Sequence, residues 1–156
     1  MAEENLFPED METTLDEDEL IEEGETVIGY KKGVCFDDIT GDLLLDGNGS
    51  IVECTPIDAW VQWGTKCIET PRFQCRAYSS DIGIDADEVR NAITREEQES
   101  MLYSEISEAL SADPYGRTAY VQSIEFDWIA SDTVNVSVTV VGIEDVAPEV
   151  NATIQV

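Results

Sequence analysis

The sequence contains no histidine. That absence removes the usual general base, excludes Ser-His and Cys-His nucleophilic schemes, and leaves no imidazole for a metal. Positive charge is nearly as scarce. Eight lysines and arginines stand against 35 aspartates and glutamates in 156 residues, a formal net charge of −27. Duplex binding is driven by basic residues that displace counterions, so a general nucleic-acid binder is excluded. Attraction to an anionic membrane surface is excluded on the same ground. No apolar run is long enough to span a bilayer, and no secretory leader is recognisable. The glycosylation-type triplets at Asn48, Asn135 and Asn151 therefore carry no weight. The four cysteines, Cys35, Cys54, Cys67 and Cys75, form no Cys-x-x-Cys pair. The expectation is reduced, buried thiols acting as small apolar residues, with disulfides as the alternative. Neither cofactor nor metal is implied.

What is present is an ordinary globular composition, 42% apolar, carried by a chain long enough for one domain with its own core. Mutual repulsion of so many carboxylates weakens such a fold at low salt, and a basic protein partner would relieve it. The acidity is uneven. Residues 1–25 hold 12 acidic residues and no basic one, with Leu6, Phe7, Met11, Leu15, Leu20 and Ile21 scattered among them. Such a segment cannot bury enough surface to offset its ordering entropy alone. It reads as an extended acidic arm, either solvated or ordered against a basic, partly apolar partner.

Residues 26–156 read as a single α+β domain. Val27–Tyr30 and Val34–Phe36 are strand-like, and Leu43–Leu45 is a short strand. Asp46-Gly47-Asn48-Gly49 is a hairpin turn from which Ser50–Cys54 returns. The spacing predicts a helix over 56–69. Thr55 caps it, Pro56 suits its first position and Asp58 its first turn. Ile57, Trp60, Val61, Gly64, Cys67 and Ile68 form one apolar stripe. Gly64 on that stripe implies that another backbone passes close by. Thr70-Pro71 ends the helix, because a residue before proline disfavours the α region. Arg72–Tyr78 reads as a strand, and Ser79–Gly83 as a turn. A short helix over Ala86–Ile93 turns Val89 and Ile93 inward. Thr94 and Glu97 form a capping box for a helix over 95–112 that carries Gln98, Met101, Leu102, Ile106, Ala109 and Leu110. Asp113-Pro114 stops it. Thr118–Ile129 and Thr133–Val141 alternate as an antiparallel hairpin around Ser131-Asp132. Ile124, Phe126 and Trp128 share one face of the first strand, and Val134, Val136, Val138 and Val140 one face of the second. Asn151–Val156 is a last short strand, held weakly after Pro148 and free to pair elsewhere.

The stretch from Thr55 to Asp85 carries a resemblance. A tryptophan-bearing helix leads into Thr70-x-Arg72-Phe73, then Tyr78-Ser79 and Asp81-x-Gly83. Together these resemble the baseplate wedge and sheath-initiator family of contractile-tail phages, in its XkdS-like branch, over most of residues 27–142. The family has also been called tail-lysozyme-like. The resemblance implies a virion protein of the tail baseplate, assembled in the host cytoplasm in about six copies around a closed ring. Its implied partners are the tail sheath protein and the other wedge and hub or tube proteins. The implied mechanism is β-strand exchange with the first sheath ring. Relatives carry Glu-Pro-Arg at the helix-to-strand step, where this chain has Glu69-Thr70-Pro71-Arg72. The expected motif residues are therefore Glu69, Pro71, Arg72, Tyr78 and Gly83.

Three chemical readings compete with a structural one. Asp42, Asp46, Gly47 and Glu53 match positions 1, 5, 6 and 12 of a calcium loop, but Leu44 and Gly49 occupy positions that refuse it. Carboxylates at glycosidase spacing arise by chance among so many, and a sugar cleft has no aromatic-rich segment here to build it. A small acidic inhibitor that blocks a basic protein is the rival from another class, yet it would spread its acids over a folded face rather than an arm. On a strand, Arg72 and Arg76 would face one side; the arginines read as surface ion pairs, each worth little, or alternatively Arg72 belongs to a partly buried polar lock joining the helix end to the sheet. The reading is a small mixed or antiparallel sheet against two helices, structural rather than enzymatic. Its docking edge is expected at the hairpin and last strand, through Val134, Val136, Val138, Val140, Asn151, Ile154 and Val156.

Overall fold

The structure, a computed structural model, describes residues 29–37 and 39–156. The acidic arm, and Val27-Ile28 of the first expected strand, lie outside the described residues. Thr55 opens the first helix, α1 (Pro56–Glu69), by accepting from the Asp58 N–H. Its hydroxyl also donates to the Asp58 carboxylate at 2.6 Å. Trp60, Gly64, Cys67 and Ile68 are its buried residues, while Ile57 and Val61 are half-buried. What passes close to Gly64 is a side chain rather than a backbone. A Cβ there would lie 3.3 Å from both methyls of Val150.

A five-residue helix, α2 (Ala86–Arg90), buries Val89. It ends before Ile93, which is 94% exposed and not inward as expected. Asn91 closes α2 and Thr94 then caps α3 (Arg95–Ser111), so Ile93 falls between two helices. The capping box forms with a shifted partner: Thr94 Oγ1 accepts from Glu97 N–H at 3.2 Å, while the Glu97 carboxylate accepts from Ile93 N–H at 3.1 Å. Leu102, Ile106, Ala109 and Leu110 line the buried stripe of α3.

The C-terminal third is a three-stranded antiparallel sheet. Strand β3 (Thr118–Trp128) pairs with β4 (Thr133–Gly142), which pairs with β5 (Glu149–Gln155), so β4 is central. Period-two alternation sends Val134, Val136, Val138 and Val140 into the core with Val150, Ala152 and Ile154. The helices cover this face, α1 over β5 and α3 over β3. Each fully buried apolar side chain contributes about 1.5–3 kcal/mol. The opposite face carries Ser123, Glu125, Asp127, Asn135, Ser137, Asn151 and Thr153. Arg95 stacks on Trp128 at 3.5 Å, and Trp128 Nε1 donates to Glu99 at 2.9 Å, which fixes α3 against the sheet.

A second, smaller lobe pairs β1 (Gly33–Val34) with β2 (Glu53–Cys54). Single bridges join Phe36 to Leu43 and Leu45 to Ile51. Asp46 organises the turn between them, its carboxylate accepting from the Asn48 and Ser50 N–H groups at 2.8 Å each. Here the expectation of four reduced thiols is corrected: Cys35 and Cys54 are joined as a disulfide. Pairing of β1 with β2 brings their Cα atoms to 5.0 Å, within disulfide reach. Cys67 and Cys75 are free, the first buried and the second exposed.

Candidate functional site

The helix-to-strand step resolves into a lock. Thr70 leaves α1 in extended conformation (φ −86, ψ 123), as a residue before proline must. Pro71 bridges to Ile84 in parallel, with Arg72 N–H on Ile84 C=O at 2.9 Å and Ile84 N–H on Thr70 C=O at 3.0 Å. Gly83, at φ +92, permits that approach: a Cβ would lie 2.5 Å from Thr70 O. Beneath this bridge Arg72 donates Nε–H to Gly83 C=O at 3.0 Å. Its Nη2 lies 3.3 Å from Glu105 and its Nη1 3.5 Å from Glu108. Nη2 makes no directed hydrogen bond, so its attraction to Glu105 is coulombic. Glu105 in turn accepts Asp85 N–H at 2.9 Å, and Asp85 caps α2.

Arg72 thus ties the end of α1 to α3, not to the sheet. Residues 72–78 are turns rather than a strand, because the backbone of the step bonds to Ile84 and Thr70 and leaves no ladder to extend. Arg72 and Arg76 consequently do not share a strand face. The lock gathers Pro71, Arg72 and Gly83. It does not gather Tyr78, which is exposed, nor Glu69, whose carboxylate reaches across to the Thr153 N–H at 3.2 Å.

A second lock was not anticipated. Asp113 and Arg117 are the buried charged residues of the described chain. Asp113 accepts Arg117 N–H at 2.9 Å, Nε–H at 2.8 Å and Nη2–H at 2.8 Å, and Tyr115 N–H at 3.1 Å. The guanidinium also lies against Tyr115 and Trp63, 5.0 and 5.4 Å from the ring centroids. The sequence signal was the Asp-Pro-Tyr-Gly-Arg turn, read only as a helix stop.

The expected docking residues sort by strand position. Val134, Val136, Val138 and Val140 are almost wholly buried on the central strand, and Ile154 and Val156 are buried too. Their side chains pack in the core under the helices, on the buried face read for the valines. The last strand is not loosely held. Seven register pairs join β5 to β4 from Glu149 to Gln155. Asn151 alone of that set is exposed, and its Oδ1 accepts from Ser137 Oγ. An open groove of about 780 Å³ runs from α1 and the 36–41 turn past β5 to residues of β4 and β3. In that turn the N–H groups of Thr40 and Ile39 hold the Asp37 carboxyl below the usual carboxylate range. At the other extreme, burial pushes the Cys67 thiol up.

Among the described residues, no group of cysteine, aspartate and glutamate side chains is placed to hold a metal ion. The organised features are two charge locks and a sheet with polar outer face and two outer edges, the anatomy of a structural assembly module. The family model for contractile injection system sheath initiators matches residues 32–145, so the chain belongs to that family. It is a structural component of the tail baseplate of such a system. No curated protein matches the chain.

Proposed function

We propose that this chain sits in the inner baseplate and initiates sheath assembly by β-strand exchange with sheath subunits. The observation that carries the reading is the three-stranded sheet. Its helices cover one face, its other face is polar, and its two outer strands each have one neighbour in the sheet. An extended arm from a sheath subunit adds to such an edge through main-chain hydrogen bonds. A six-residue strand forms about four to six of them, each about 0.5–1.5 kcal/mol net. One copy binds weakly, and a ring of about six copies binds tightly by effective concentration. The dense negative charge discourages pairing between copies and favours a basic arrival. Wedge and hub or tube proteins are the other neighbours, and assembly takes place in the host cytoplasm.

The role is structural rather than catalytic. The direct test is to assemble baseplates with and without the chain and supply purified sheath subunits. Sheath grows only where the chain is present; equal growth in its absence refutes the role. Turnover of peptidoglycan by the purified chain, lost on substituting one carboxylate, would refute the non-enzymatic reading.

A further inference from the structure

We infer that the outer edge of β5 is the strand acceptor, and that Glu69 and Thr65 of α1 hold it closed until an extended, basic segment of a sheath subunit displaces them. This inference rests on the sheath-initiation reading and identifies its edge and its guard. Backbone direction comes first. Pro148 C=O accepts from Val140 N–H and Val156 N–H donates to Asp132 C=O, so even-numbered residues of this segment face β4. Glu149, Asn151, Thr153 and Gln155 therefore direct their N–H and C=O groups outward. These are the groups an added strand requires.

Two of them already have partners, and both partners are side chains. Glu69 accepts the Thr153 N–H at 3.2 Å, and Thr65 Oγ1 donates to Asn151 C=O at 3.1 Å. Both contacts are exposed at the surface, and an added strand must displace the two side chains from the edge that α1 overhangs. Covering an edge in this way limits its pairing with a second copy.

The competing edge is less suitable. The β3–β4 register is interrupted between Thr118 and Tyr120 and again between Val121 and Ser123. Such irregularities bend a strand and disfavour further pairing. The β4–β5 register runs without interruption. The groove beside β5 is also charged in one sense. Asp37, Glu69 and Glu149 border it with Glu125 and Asp127 of β3 on its far side, against a single lysine, Lys66, which lies over the Phe36 ring at 3.5 Å. That lining selects a cationic strand and repels another copy of this chain.

The test uses full-length chain in assembled baseplates, with purified sheath subunits as the probe. Thr153→Pro removes an outward N–H that β4 does not use, together with its Glu69 contact, and circular dichroism checks that the variant keeps the native fold. Sheath nucleation on these baseplates is expected to fall at least about tenfold, the effect of losing one or two net hydrogen bonds at each site. Glu69→Ala with Thr65→Val is expected to raise sheath-subunit affinity by about two- to tenfold, because nothing must be displaced. In the free double variant, the Thr153 amide exchanges faster than in the natural chain, and adding sheath subunits slows it in both. Wild-type nucleation by a natively folded Thr153→Pro chain overturns the edge assignment while leaving sheath initiation intact. Unchanged or weaker affinity of the double variant overturns the guard. Sheath growth on baseplates lacking the chain would instead remove the parent reading.

Discussion

Replacing Arg72 by alanine tests the lock most directly. The Arg72 side chain is 10% exposed and Glu105 is 16% exposed, whereas Glu108 is 59% exposed. The contact with Glu108 is therefore largely screened and adds little. The loss falls on two groups: Gly83 C=O, which loses the Nε–H donor, and Glu105, which loses its cation. Removing one member of a buried pair costs about 3–5 kcal/mol. Glu105 keeps the Asp85 N–H, so the expected cost sits at the lower end, about 3 kcal/mol. Urea unfolding of the purified chain measures it, with Arg90→Ala as control. Arg90 pairs with Asp87 on an exposed helix turn, and its removal is worth about 0.5 kcal/mol or less. Arg72→Met combined with Glu105→Leu should recover part of the loss, since no charge is then left buried alone. A loss below about 1 kcal/mol in Arg72→Ala, or no recovery in the double variant, would refute the assignment of Arg72 as the tie between α1 and α3.

Gly83→Ala combines a positive φ with a Cβ pressed on Thr70 O, and should cost on the order of 3 kcal/mol in the same assay. Ile106→Ala, at the fully buried centre of α3, should cost about 2–5 kcal/mol. A loss under about 1 kcal/mol would place the core elsewhere. Asp37 has a folded pKa below its unfolded one, so its contribution is present above the ordinary carboxylate value of about 3.9 and is lost as pH falls through the lower folded value. The amide shifts of Ile39 and Thr40 should titrate with a midpoint under about 3.9, and a midpoint at or above it would contradict the turn.

The charge chemistry was partly legible. A partly buried Arg72 was one of two readings beside surface ion pairs, and its partners were not visible. A strand from 72 to 78 was a reasonable reading of alternating residues, yet those residues turn away once Pro71 has bridged to Ile84. The same limit applied to Glu69. Its bond to Thr153 spans a sequence separation of 84, which no local pattern encodes. Cys35 and Cys54 gave no sign of their pairing, because the disulfide depends on β1 meeting β2 across an intervening hairpin.

Local chemistry in the sequence determined the helix starts, the Asp46 and Ser131-Asp132 turns, the inward valines of β4 and the excess of negative charge. Each of these depends on side-chain period, capping or composition within a few residues. Tertiary structure alone decided that β4 is the central strand, that β5 has an outward edge beneath α1, and that Arg72 pairs with α3. Period-two alternation specifies which face of a strand is buried, but not which strand lies beside it. Neighbour choice is settled only when α1 and α3 close over the same valines, and that packing leaves one side of β5 unpaired.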